Sequence, residues 1–229
     1  MNQINPLKNT LETGRQFDVI PLFEIKNRNW FWFVKRMQDI VLSLLGLILL
    51  SPLLLLVALM IKAESPKGAV IFAQTRVGKN GKPFKMYKFR SMVADAEAML
   101  GDLMDKNEIS GAMFKIKNDP RVTRIGRLIR KTSLDELPQL VNVLKGDMSL
   151  VGPRPPLPRE VADYTSYDMM RLLVVPGCTG LWQISGRNHV GFREMVELDL
   201  EYIRNQSFIK DIVILCKTVK VLFGANNAY

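Results

Sequence analysis

The sequence predicts a helix-rich mixed α/β domain fastened to a membrane by one broken apolar helix. Three observations carry this expectation. Residues 40–61, IVLSLLGLILLSPLLLLVALMI, are apolar throughout, carry no charge and are interrupted by Ser51-Pro52. About 160 residues follow them, enough for one compact domain. Those residues hold two adjacent strand-like stretches among several segments of helical periodicity, which predicts a small antiparallel sheet surrounded by helices.

Residues 1–36 form the first unit. Up to residue 29 they are polar, mixed and without periodicity; from Trp30 the run WFWFVKR is aromatic and basic, a composition suited to lipid headgroups. Residues 37–62 form the membrane helix. At about 1.5 Å per residue, the apolar run just covers a hydrocarbon core of about 30 Å. It begins late and no small-residue cleavage site follows, which argues against a cleaved signal peptide. Its flanks are basic on both sides, with Lys26, Arg28, Lys35 and Arg36 before it and Lys62, Lys67, Arg76, Lys79 and Lys82 after it. Two arrangements fit. The helix crosses the bilayer with an ambiguous positive-inside bias. Alternatively Pro52 bends it, the Ser51 hydroxyl takes up a freed carbonyl, and both ends return to one face as a re-entrant hairpin.

The remainder, residues 63–229, forms the second domain. Residues 69–77 and 83–90 read as two strands around the turn Gly78-Lys79-Asn80-Gly81. The second ends on Lys88 and Arg90, either a basic edge that resists aggregation or a phosphate-facing pair. A polar helix over 94–106 and a turn at 118–120 follow. In residues 121–131, RVTRIGRLIRK, Val122, Ile125, Leu128 and Ile129 share one helical face and the basic residues the other. Such a helix lies on an anionic surface, lines a phosphate site or shows a solvated basic face. Ser133 and Glu136 have capping-box spacing, which sets Asp135 in the first turn of the next helix, near its positive end. Pro138 requires that helix to start late or bent. Residues 151–156, VGPRPP, can be neither helix nor central strand, so they form a stiff loop that fixes Arg154. Residues 174–188 are rich in loops, 193–205 are helical, and 208–223 form an amphipathic helix suited to the interface or to the core.

Composition narrows the chemistry. A formal charge of +10 and a pI near 9.7 suit a phosphate-bearing partner. Beside a membrane segment, lipid and phosphorylated substrate outrank nucleic acid. Cys178 and Cys216 are isolated and His189 is the only histidine, which excludes a Cys/His zinc cluster and a histidine-based triad. Unpaired cysteines also fit a reducing compartment. Any metal is therefore held by carboxylates and phosphate oxygens, as magnesium or manganese. The chain lacks a G-x-x-x-x-G-K-[ST] loop, a G-x-G-x-x-G turn and a D-x-D triplet. It has the acidic pair Asp135-Glu136, between Arg130-Lys131 and Arg154. Most adjacent Asp-Glu pairs are solvated helix starts. Between arginines and a rigid loop, however, one carboxylate can attack an activated phosphate while its neighbour holds the metal that screens the charge. Arginine forks suit the phosphate oxygens.

RKTSLDELPQLVNVLKGDMSLVGPRPPL, with MYKFRSM and PGCTGLWQISGRN, resembles the bacterial sugar transferase family, the monotopic polyprenyl-phosphate phosphoglycosyl transferases. The resemblance runs from about residue 37 to the C-terminus and is to the small form of the family. It implies transfer of a sugar 1-phosphate, that of a hexose, from a UDP-sugar to undecaprenyl phosphate, with Mg2+, at the start of exopolysaccharide or other glycoconjugate assembly. It implies Asp135 as nucleophile through a phosphosugar intermediate and Glu136 as a magnesium ligand. It implies Arg154, Arg130, Lys88 and Arg90 at phosphate, Arg187 and Asp199 toward the nucleotide sugar, and Ser51-Pro52 as the break of a re-entrant helix. The expected location is the cytoplasmic face of the bacterial inner membrane, with membrane lipid as a partner, no nucleic acid, and a homo-oligomer as a further assembly to consider. Cys178 and Trp182 depart from common family motifs, and residues 98–117 exceed the smallest members in length. Two rival readings are a non-catalytic, membrane-anchored basic recruitment protein and a magnesium-dependent lipid phosphatase.

Overall fold

The computed structural model describes residues 29–96, 98, 99, 101, 103, 116, 119–185 and 190–224. Helix α1, Asn29–Glu64, runs for 36 residues, and the aromatic lead-in forms its opening turns. Pro52 lies inside it. Proline has no amide hydrogen for the Ile48 carbonyl four residues back. The Ser51 hydroxyl donates to that carbonyl instead, at 2.8 Å, as the Ser-Pro sequence predicts.

One face of α1 is buried at Phe31, Lys35, Asp39 and Ser43, and again at Val57 and Ile61. The i, i+4 spacing sets these residues in one row. The opposite face exposes large apolar side chains, Leu49 at 77 % and Leu55 at 61 % among them. This is the one helix among the described residues long and apolar enough to cross a membrane.

Both ends of α1 bond to the rest of the chain. Near its start the Arg36 guanidinium donates to the carbonyls of Val143 and Leu144, at 2.5 and 2.7 Å. Lys35 pairs with Asp211 at 2.5 Å, and Asp39 accepts from the Leu150 amide at 3.0 Å. At its end the Glu64 carboxylate accepts from the amides of Arg124 and Ile125, at 2.9 and 3.3 Å. Those amides open helix α2, Arg124–Lys131, where unpaired N–H groups favour an anion.

Strands β1, Ile71–Val77, and β2, Pro83–Phe89, pair antiparallel in the register Ile71↔Phe89 to Val77↔Pro83. The turn between them takes Asn80 and Gly81 to φ of 57° and 76°. Helix α2 begins three residues later than the amphipathic pattern predicts. The Thr123 side chain accepts from the Gly126 amide at 2.9 Å and caps the helix there. Before that cap, Arg121 pairs with Asp119 at 2.6 Å and Val122 bridges to Met92. Gly126 allows a close crossing: a Cβ there would stand 1.9 Å from the Ser91 carbonyl oxygen. Of the polar helix expected over 94–106, the described residues form turn and 3-10 structure rather than an α-helix, and the rest of it, with part of the turn at 118–120, lies outside the described residues.

Helix α3, Gln139–Lys145, ends at Gly146 with φ 89°. Strand β3, Ser149–Val151, pairs in parallel with β4, Gly177–Thr179. Short helices α4, Pro158–Ala162, and α5, Leu181–Ile184, lead to α6, Phe192–Arg204, and α7, Phe208–Gly224. The main core gathers Val143, Met148, Val151, Val196, Leu200 and Ile214. A second cluster joins Val57 and Ile61 of α1 to Phe89 and Ile129. Helix α7 packs one side against the core. Asp211 and Ile214 face the core, while Ile209, Ile212 and Val219 remain exposed.

Candidate active site

Asp135 and Glu136 lie on a single 3-10 turn, Leu134–Glu136. The expected capping box does not form. Ser133 takes a left-handed backbone, φ 54°, and its side chain caps nothing, so the acidic pair lies outside the following helix rather than in its first turn. Pro138 stands immediately before α3, as its chemistry requires. Leu134 packs into the cluster of Val57, Ile61, Phe89 and Ile129, which seats the acidic turn on the last turns of α1.

The two carboxylates have different surroundings. Asp135 is 8 % exposed, whereas the Glu136 side chain is 41 % exposed. Burial, and then the negative charge of Glu136, push the Asp135 carboxyl up to about 6, against the pull of Lys88 and Arg130. Lys88 Nζ meets Glu136 Oε1 at 2.8 Å. Arg130 donates through Nε to Ser91 Oγ at 2.9 Å, and its charge reaches Asp135. The structure therefore brings Asp135, Glu136, Lys88 and Arg130 together.

The other expected residues take partners outside this group. Arg90 donates to the Ser65 carbonyl at 3.1 Å, with its guanidinium stacked over Gly68. It ties β2 to the end of α1. Arg154 sits on the stiff proline loop as expected, but Glu160 receives its guanidinium at 3.0 and 3.4 Å. Asp199 is fully buried and accepts from Arg171 Nε at 2.8 Å and NH2 at 2.6 Å. Arg171 also donates to the Arg154 carbonyl and to the Tyr164 hydroxyl. Burial alone would lower the Arg171 guanidinium, but Asp199 more than offsets it and holds the group above its ordinary range. Asp199 is thus placed beneath the Arg154 loop, which it steadies. Arg187 lies outside the described residues.

Sequence reasoning missed the supports of this loop. Glu160 and Arg171 lie in segments without a periodic signal, and their partners are side chains folded in from elsewhere. Arg76 was read only as a flanking charge, yet it is buried and donates to the Pro155 carbonyl at 3.0 Å. The hint was the alternation Gln74, Arg76 inside a strand. Cys178 stands on the Glu136 side of the site: burial, and then the charge of Glu136, push its thiol up.

Among the described residues no three His, Cys, Asp or Glu side chains form a metal cluster. The acidic pair fits the magnesium mode in which one or two carboxylates share the ion with substrate phosphates and water. Soft ligands for other metals are absent from this turn.

The family model described as "Bacterial sugar transferase" matches residues 30–225. The chain is 50% identical over 195 residues to galactosyl transferase CpsE of Streptococcus agalactiae, covering 85% of this chain and 43% of that protein. It is 49% identical over 201 residues to undecaprenyl-phosphate galactose phosphotransferase of Salmonella typhimurium, covering 86% and 42%. It is 41% identical over 199 residues to exopolysaccharide production protein ExoY of Sinorhizobium fredii, covering 85% and 88%. The chain thus spans less than half the length of the first two relatives and most of the third.

Proposed function

Because the chain belongs to the bacterial sugar transferase family, we propose that it moves a hexose 1-phosphate from a UDP-sugar to undecaprenyl phosphate, starting exopolysaccharide or related glycoconjugate assembly. Galactose is the first candidate, since relatives near 50% identity carry it in their names. One observation carries the reading. A buried carboxylate, flanked by a lysine and an arginine, sits on a turn that packs against the apolar helix through Leu134. Such a turn would join a nucleophile, phosphate-neutralising charge and a membrane in one place.

In this mechanism a carboxylate oxygen of Asp135 attacks the sugar-bearing phosphorus of the donor. The bond from that phosphorus to the bridging oxygen breaks, and UMP leaves. An oxygen of undecaprenyl phosphate then attacks the same phosphorus, and the bond to Asp135 breaks. The carboxylate is restored and the sugar is carried on a lipid diphosphate. Lys88 and Arg130 offset the charge that two phosphates bring to a buried carboxylate. Magnesium, held by Glu136 with phosphate oxygens, would screen that charge and stabilise the leaving UMP.

The lipid acceptor lies at headgroup depth and the donor is water-soluble, so the acidic turn belongs at the interface. A re-entrant course for α1 supplies this, with residues 63–229 on the cytoplasmic face of the inner membrane. Its support is that Arg36 and Glu64, at opposite ends of the apolar run, both bond to the same body. A recruitment protein gains nothing from burying Asp135.

The test is UMP release by the full chain from a panel of UDP-sugars with undecaprenyl phosphate and magnesium. Asp135→Asn should lower turnover by at least about 10³-fold, the scale of losing a nucleophile. Unchanged release removes Asp135 from the role, and inorganic phosphate in place of UMP turns the reading to a phosphatase.

A further inference from the structure

Two cations of the hairpin and the proline loop are matched by carboxylates. Lys88 meets Glu136 and Arg154 meets Glu160. Arg76 is different. Its guanidinium donates to neutral acceptors, the Pro155 carbonyl at 3.0 Å and Gln74 Oε1 at 2.9 Å. Its Nε is buried with no hydrogen-bond partner among the described residues. The residue is 8 % exposed. A guanidinium buried on neutral acceptors is costly, and an arriving anion relieves the cost. Burial, and then the charge of Arg154, push Arg76 down to about 10, so it remains a cation at neutral pH.

Its place on the sheet gives this charge a direction. Phe72 pairs with Lys88, Gln74 with Met86 and Arg76 with Phe84. Paired residues share a face, and side chains two apart along a strand share it too. Lys88 and Arg76 therefore lie on one face of the hairpin, four positions apart along the ladder, or about 13 Å of backbone. Gln74 and the core residue Met86 lie between them on that face, while Glu136 is bonded to Lys88 and within the electrostatic reach of Arg76. The Lys88 side of the turn, with Arg130, adjoins the apolar helix through Ile129 and Leu134. Arg76 lies at the other end, beside the proline loop.

We propose that Arg76 binds the donor's diphosphate at the end of the hairpin beside the proline loop. The proposal rests on the sugar-phosphate transfer argued above and adds a phosphate-binding residue that the motifs did not point to. The competing role is mechanical. Arg76 clamps the proline loop through the Pro155 carbonyl, next to the backbone bond from Val77 to Pro156 at 2.9 Å. A clamp alone changes how much protein is active, not how tightly the active protein takes its donor.

The experiment compares the full chain with Arg76→Gln and Arg76→Lys, reading KM for the UDP-sugar, KM for undecaprenyl phosphate, and the affinity for UDP by calorimetry. Loss of a buried charge-assisted contact should raise the donor KM and the UDP dissociation constant about tenfold or more in Arg76→Gln. The lipid KM should move less than about twofold, because that contact lies elsewhere. Arg76→Lys, which keeps the charge and loses the fork, should fall between the two and serves if the glutamine variant does not fold. Donor KM and UDP affinity unchanged in the variant that folds, with only the maximal rate lowered, would overturn the proposal. If the wild type releases no UMP, the transfer reading fails, and UDP binding still decides whether Arg76 holds a diphosphate.

Discussion

Asp135 works under two opposing demands. As the proposed nucleophile it must be ionised, yet its burial and its acidic neighbour favour the protonated form, which places the carboxyl at about 6 against an ordinary 3.8. The sign of the linkage follows. Between about pH 4 and 6 the folded chain keeps a proton that the unfolded chain releases, so stability is greatest below this window and falls as pH rises through it. A shift of about two units corresponds to roughly 2–3 kcal/mol for a fully buried group, lost by about pH 7. Asp135→Asn should therefore abolish transfer and make the fold more stable at neutral pH. Urea melts at pH 4.5 and 7.5 test this: the wild type should lose stability between them by more than the variant does, and equal losses would overturn the assignment. The wild-type rate should have an acid limb near pH 6, where the nucleophile protonates. None of this was legible beyond the identity of the pair. An Asp-Glu dipeptide carries no record of its burial, which Leu134 and the apolar helix impose from outside.

At the scale of elements, local chemistry was read correctly where neighbours decide it and wrongly where they do not. The hairpin of β1 and β2 followed from alternation and from Asn80-Gly81, two residues that tolerate left-handed backbone. The Ser51 bond followed from the proline beside it. The capping box failed because Ser-x-x-Glu spacing describes a helix start only if the serine backbone is extended. Ser133 is left-handed instead, because α2 must end at Lys131 and turn sharply to set Leu134 against α1. The residue is held there at a cost of about 1–2 kcal/mol, which glycine would not bear. Ser133→Gly should leave the denaturation midpoint unchanged or raise it, the gain being limited by the freer unfolded chain. Ser133→Val, branched at Cβ, should lose about 1–2 kcal/mol and slow transfer, since the acidic turn hangs from this residue. A valine variant as stable as wild type would show that the turn is not under this constraint.

For the whole molecule, the question is how one apolar helix serves a domain that meets it at both ends. Hydropathy marks the helix, but it could not show that Lys35 and Asp39 face inward, because Lys35 finds its partner Asp211 176 residues away. Such pairs are invisible to any local pattern. Straight, a 36-residue helix would extend about 54 Å, well beyond a hydrocarbon core of about 30 Å. Were it to cross, either Arg36 or Glu64 would be drawn to the far side with its partners, and the charged elements α2 and α3 would be pulled with it. Both ends on one side keeps every one of those bonds in or near water and leaves the exposed apolar faces of α1 and α7 for lipid. Single cysteines at Asn29 and Lys67, both exposed, report the two flanks once Cys178 and Cys216 are replaced by serine. An impermeant maleimide should reach neither cysteine in intact cells and both after lysis. Labelling of one flank from outside would mean a crossing helix, and labelling of both would put the acidic turn on the wrong side for a cytosolic donor.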